Sequence, residues 1–144
     1  MQVSVVLQAK GSDVVTADPA TSLTEVISVL SSRRIGAVVV SADGRHIDGV
    51  LTERDIVEVL AHEGPSALDR TASEVMTSDV YTCDPNTTVE ELMSAMTDRR
   101  VRHIPVVVDG ELSGVVSIGD VVKNRISYLE HETEALHSYI SNPY

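Results

Sequence analysis

Tryptophan and phenylalanine are absent from the 144 residues, and tyrosine supplies only four aromatic rings. A planar ligand held by this chain therefore lies mainly among aliphatic side chains and not between stacked rings. Cysteine is almost missing as well. Cys83 stands alone, which excludes an intrachain disulfide and a thiolate cluster for structural zinc. Basic residues are scarce: 11 Lys and Arg face 22 Asp and Glu, for a formal net charge of -11. Such a field repels a polyphosphate backbone, so no nucleic acid is expected as a partner. Small anions remain admissible, because a nest of amides or a few arginines outweighs a screened global charge at contact distance. Apolar runs such as residues 35–40 are far shorter than a membrane span, and Met1-Gln2-Val3-Ser4 lacks a basic signal region. No membrane partner and a cytoplasmic location are expected. The length suffices for one good core but not for a separate catalytic domain.

What the chain does have is an internal repeat. Val14-Val15-Thr16-Ala17-Asp18-Pro19-Ala20-Thr21 returns as Val80-Tyr81-Thr82-Cys83-Asp84-Pro85-Asn86-Thr87. At the same displacement Glu25 matches Glu91, Arg33-Arg34 matches Arg99-Arg100, and Asp43-Gly44 matches Asp109-Gly110. Past that turn the second copy is one residue shorter, and Gly49-Val50-Leu51-Thr52-Glu53-Arg54-Asp55 pairs with Gly114-Val115-Val116-Ser117-Ile118-Gly119-Asp120. Each copy opens on a short strand, at residues 14–16 or 80–82, that ends in Asp-Pro. An amphipathic helix follows, with Leu23, Val26, Ile27 and Leu30, or Val89, Leu92, Met93 and Met96, at i, i+3, i+4, i+7. Two β-branched runs around an Asp-Gly turn form a hairpin, and a helix from Thr52 or Ser117 closes the unit. Gly64-Pro65-Ser66 marks the linker, and residues 71–76 are suited to a helical turn. The expected division is residues 1–66, 67–127 and a helical extension over 128–144. A unit with one sheet and two helices must cover its open sheet face with its twin. The fold class is α/β (α+β): two β-α-β-β-α repeats packed by pseudo-twofold symmetry.

The motif Gly-h-h-[Thr/Ser]-x-x-Asp, where h is an apolar residue, occurs once per copy where a strand runs into a helix. Two readings stand side by side. Thr52 with Asp55, and Ser117 with Asp120, make good capping boxes. The same groups also fit a nucleotide, since amides at a helix start attract phosphate and a short carboxylate accepts from both hydroxyls of a ribose. Neither a G-x-G-x-x-G turn nor a P-loop is present.

With these motifs, the Asp-Pro strands, Ile35-Gly36-Ala37-Val38, Val101-Arg102-His103-Ile104-Pro105 and the Val75-Met76-Thr77 lead, the chain resembles a CBS-domain pair, the module named after cystathionine beta-synthase. The likeness is to the small stand-alone bacterial type and covers nearly the whole sequence. It implies two clefts, with Asp55 and Asp120 on ribose and Thr52 and Ser117 near phosphate. It also implies a base lying against residues 14–16 and 80–82 and against Ile35-Gly36 or Val101-Arg102. The ligand-binding set is thus Thr16, Ile35, Gly36, Thr52, Arg54, Asp55, Thr82, Val101, Arg102, His103, Ile104, Pro105, Ser117 and Asp120. Ligands implied are AMP, ADP, ATP, NAD(H) or S-adenosylmethionine, with no catalytic cofactor, a homodimer built through the modules and an unidentified target protein.

The copies differ where Gly36-Ala37 faces Arg102-His103, so unequal clefts are expected, one for a charged nucleotide and one for a roomier ligand. Because neighbouring strand residues point to opposite faces, one of Arg102 and His103 is expected to reach phosphate. Arg33-Arg34 and Arg99-Arg100 suit either a helix C-terminus or a phosphate. His131, Glu134 and His137 spread around the last helix and read as solvated, not as metal ligands. Cys83 reads as a small buried hydrophobe. Leu129, Leu136 and Ile140 make the tail either a strut on its own module or a dimer contact. Three functions follow in outline: a ligand sensor; a nucleotide hydrolase using Asp55 or Asp120 as base, against which the missing nucleophile and metal carboxylates speak; and a dimerisation adaptor without ligand.

Overall fold

Two successive runs of similar element order, the second without a leading strand, make up the protein, whose structure is a computed structural model describing residues 1–11 and 13–141. A helix α1 (Val3–Lys10) comes first. The first run holds β1 (Thr16–Ala17), α2 (Leu23–Arg33), β2 (Ala37–Val40), β3 (Gly49–Thr52) and α3 (Glu53–Glu63). After a 3-10 segment (Gly64–Asp69) and α4 (Ala72–Val75), the second run holds α5 (Val89–Arg99), β4 (His103–Val108), β5 (Glu111–Ser117) and α6 (Ile118–Ser141). Capping chemistry sets the helix starts: Ser22 accepts the Glu25 amide ahead of α2, and Thr88 and Glu91 form a reciprocal box ahead of α5. Both first helices end on an arginine in the left-handed region, Arg34 and Arg100, each at φ 54.

In the first sheet β1 runs parallel to β2, Thr16 opposite Val39, and β2 pairs antiparallel with β3. The second sheet pairs β4 with β5 across Asp109-Gly110, both at positive φ. Its leading strand, expected at residues 80–82, shrinks to one parallel bridge between Cys83 and Val106. Residues 80 and 81 lie outside the sheet.

Each sheet buries its own core. Leu23, Val26, Leu30, Val38, Val40, Leu51 and Ile56 fill the first, and Leu92, Met96, Ile104, Val106, Val116 and Val121 fill the second. Burying each such leucine or isoleucine contributes about 1.5–3 kcal/mol. The second core also takes Val3 and Val6 from α1, both fully buried, although the sequence reading assigned no element before Val14. The segments ahead of each run dock alike. The Leu23 amide donates to Arg70 and the Ala72 amide to Thr21, while the Val89 amide donates to Met1 and the Val3 amide to Thr87. Cys83 is buried, and burial together with the Asp84 carboxylate pushes its thiol up to about 11, as befits a packing residue.

α6 runs on to Ser141; the end of the expected extension, residues 142–144, lies outside the described residues. Leu129, Leu136 and Ile140 are exposed on it, so the strut reading fails for this stretch. Among the described residues no helix is long and apolar enough to cross a membrane.

Candidate functional site

Thr52 ends β3 and caps α3. Its Oγ1 accepts the Asp55 amide at 3.2 Å, and Asp55 Oδ2 accepts the Thr52 amide at 2.9 Å. The capping reading is therefore correct, yet it does not use up the carboxylate. Asp55 and Thr52 also line a cavity of about 680 Å³, together with Gly36, Val50, Glu53, Arg54, Thr77, Asp79, Val80, Tyr81, Arg100, Val101, Arg102 and His103. That volume suits a nucleotide-sized molecule. The outer Asp55 oxygen, Oδ1, has only a long contact of 3.5 Å from the Thr77 hydroxyl, so it retains capacity to accept.

The halves contribute to this cavity jointly. The hydroxyl and carboxylate come from the first run, whereas Val80, Tyr81, Arg100, Val101, Arg102 and His103 come from the second. Gly36 and Arg102-His103, expected to mark two different clefts, meet in one. The reason is contact across the pseudo-twofold: a Cβ at Gly36 would sit 3.2 Å from the His103 ring, so the missing side chain is what lets the histidine in. Arg102 and His103 both line the cavity, contrary to the alternation argument, because the chain enters β4 only at His103 and strand geometry does not govern Arg102. Arg99 and Arg100, at the end of α5, go different ways. The Arg99 guanidinium lies 4.3 Å over the Tyr81 ring, and Arg100 lines the cavity.

Burial and the Lys10 ammonium hold the His103 imidazole below its ordinary value, against Glu53 and Asp120 which favour its charged form. The neutral form is thereby favoured, in which one ring nitrogen donates and the other accepts. Arg54 pairs with Glu58 at 3.2 Å and stands at the mouth, largely in solvent.

Of the remaining expected residues, none lines this cavity. Thr16 is an exposed residue of β1, and Thr82 is exposed beside Cys83. Ile35 packs against the first core. Ile104 is fully buried in the second, and Pro105 is buried in β4 opposite Val115. Ser117 and Asp120 form the equivalent capping box on α6, at 2.9 and 3.2 Å, but a lysine reaches their carboxylate. Lys10 Nζ donates to Asp120 Oδ2 at 2.6 Å and to the Val115 carbonyl at 2.8 Å. Burial acts to raise the Asp120 carboxyl, but the Lys10 ammonium and the Ser117 amide outweigh it and hold it below the ordinary carboxylate range. Glu53, Glu58 and Asp79 at the cavity, and Lys10 at the other cleft, were not anticipated from sequence. No group of three or more potential metal ligands forms among the described residues.

Comparison with known proteins follows the same lines. The CBS domain matches residues 10–62 and again 72–127. The mitochondrial CBS domain-containing protein CBSX3 of Arabidopsis thaliana is 34% identical over 124 residues, 83% of this chain; the chain spans 60% of that relative's length. The CBS-domain containing protein ATU1752 from Agrobacterium tumefaciens superposes with a TM-score of 0.84 at 45% identity, over 87% of this chain and 99% of that one. At 23% identity and a TM-score of 0.76, the CBS domain pair of protein MJ0100, solved with 5'-methylthioadenosine and S-adenosyl-L-methionine, shares the fold over 85% of this chain and 98% of its own. Carrying two matched repeats on two similarly built halves, the chain belongs to the CBS-domain family, whose pairs are regulatory ligand-binding modules.

Proposed function

We propose that the chain senses an adenosine phosphate, AMP, ADP, ATP or NAD(H), in the Asp55 cavity and reports its occupancy to a partner protein without catalysing a reaction. The observation that carries the reading is the meeting, in one cavity, of a capped but unsaturated carboxylate with two arginines from the other half. Asp55 accepts from the ribose hydroxyls. Arg100 and Arg102 receive the phosphate by charge-assisted hydrogen bonds, and the base lies among Val50, Val80, Tyr81 and Val101. The presence of adenosine-type ligands in the structure of MJ0100 supports this chemistry. Glu53, Glu58 and Asp79 also stand at the cavity, so a third phosphate meets repulsion and AMP is expected to bind more tightly than ATP.

Ligand that bridges the halves favours the conformation in which they close on it, and only that differential affinity transmits a signal. The exposed apolar residues of α6, among them Ile126, Leu129, Leu136 and Ile140, support pairing of two chains in a homodimer. They also favour the second reading, an adaptor that dimerises without ligand. Calorimetry with AMP, ATP, NADH and S-adenosylmethionine separates the two. Saturable binding weakened at least tenfold by Asp55→Ala or Arg102→Ala is the expected result, in line with about 1.5–3 kcal/mol per hydrogen bond to a charged group. Silence from all four ligands would leave the adaptor.

A further inference from the structure

The two clefts carry the same capping box and the same strand-to-helix junction, yet their carboxylates face different neighbours. At the first, the docked segment ends early. α4 stops at Val75, and the chain leaves in extended form, Thr77 exchanging both backbone hydrogen bonds with Val50 at 2.9 Å. Thr77 reaches Asp55 only through a neutral hydroxyl at 3.5 Å, and Val50, Asp55 and Thr77 all line the cavity. At the second, the docked segment runs on. α1 continues through Leu7, which is packed so closely on β5 that a Cβ at Gly114 would lie 2.8 Å from its methyl group, and ends at Lys10. Its ammonium spans the Val115 carbonyl and the Asp120 carboxylate, the pair equivalent to Val50 and Asp55.

We infer that Lys10 decides which cleft takes a ligand: by occupying the Asp120 carboxylate from within the chain it restricts this protein to one nucleotide per chain, bound at Asp55. The ammonium pairs with Oδ2, the oxygen that also accepts the Ser117 amide, and its charge weakens the whole carboxylate as an acceptor for the hydroxyls of a ribose. A ligand entering there must break an ion pair of 2.6 Å whose side chains are only 36% and 22% exposed, and must leave an anchored lysine without its partner. Buried Val3 and Val6 hold the helix in place, so the lysine is delivered at fixed position and not by chance of a mobile tail. The inference takes its ligand class from the function proposed above.

AMP titrations of Lys10→Ala test it. Alanine is the best helix former, so α1 persists, and the far-ultraviolet dichroism spectrum checks that it does. The wild-type chain is expected to bind one AMP, and Lys10→Ala to bind two, while Lys10→Arg, which keeps the cation, stays at one. The Lys10→Ala, Asp55→Ala double variant isolates the second cleft. AMP binding to it that disappears when Asp120→Ala is added supports the inference, even should the wild-type chain bind nothing and the Asp55 reading fail. No AMP binding to the double variant, or a wild-type stoichiometry of two, would overturn it.

Discussion

The two halves share a helix start, a helix stop on a left-handed arginine, a capping box and the docking of a preceding segment, but they differ in what that segment does next. α4 is one turn long and releases its chain beside Val50. α1 is twice as long and ends with a cation on Asp120. Duplicated scaffolds therefore do not guarantee duplicated sites. A site's availability is set by the connecting segments, which lie outside the repeat and are free to diverge.

If the scaffolds are equivalent, equal insults should cost equally. Leu23 and Leu92 lie on the equivalent helices, at the first position of α2 and the fourth of α5, and both are fully buried. Leu23→Ala and Leu92→Ala are each expected to lower stability by about 2–5 kcal/mol in urea unfolding, within about 1 kcal/mol of one another. A much smaller loss for Leu92→Ala would show that α1 relaxes into the hole and that the second core is the softer half.

How the sequence foreshadowed these halves is uneven for physical reasons. Capping boxes, helix periodicity and Asp-Gly turns are local, and they were legible to within a residue or two. The weak leading strand at Cys83 was not, because a strand of one bridge depends on a partner, Val106, that no local pattern specifies. Thr52, Asp55 and Arg102 were legible as site candidates from their motifs. Their grouping was not: pairing each motif with its own repeat ignores that the halves pack face to face, which brings Asp55 to Arg102 and Gly36 to His103. α1 did leave a signal, Val3, Val6, Leu7 and Lys10 at i, i+3, i+4 and i+7. That spacing announces a helix with an apolar face and a lysine on it, but which carboxylate the lysine meets depends on where the face docks.

Glycines at the two strand starts sharpen the comparison at intermediate cost. A Cβ at Gly49 would lie 2.5 Å from the Met76 sulfur and 2.8 Å from the Thr77 carbonyl, whereas at Gly114 its three nearest neighbours would all be atoms of the Leu7 side chain. A leucine end moves aside more readily than a backbone carbonyl that is hydrogen-bonded to Val50. Gly49→Ala is expected to cost about 1–3 kcal/mol and Gly114→Ala less, read as the order of their melting temperatures. The reverse order would mean that α1 is seated more rigidly than the bridge between Thr77 and Val50.

The smallest effect concerns His103, which lines the first cleft but feels the second. Burial and Lys10 lower its pKa from 6.5, with a further push from Arg102, while Glu53 and Asp120 act the other way. Because the folded value lies below the unfolded one, the unfolded chain binds more protons between the two. The stability that His103 contributes is thus complete above about 6.5 and is lost as the pH falls through that window. Removing Lys10 alters this balance without touching the Asp55 cavity. In an NMR titration of the imidazole Cε1 proton, Lys10→Ala is expected to move the His103 midpoint upward toward 6.5, by less than the full shift because burial is the larger cause. An unchanged midpoint would mean that the ammonium is screened from the ring and that the two clefts are electrically independent. An upward move would show that the cation on Asp120 also disfavours the charged form of the histidine at the other cleft, so that the two clefts are electrically coupled.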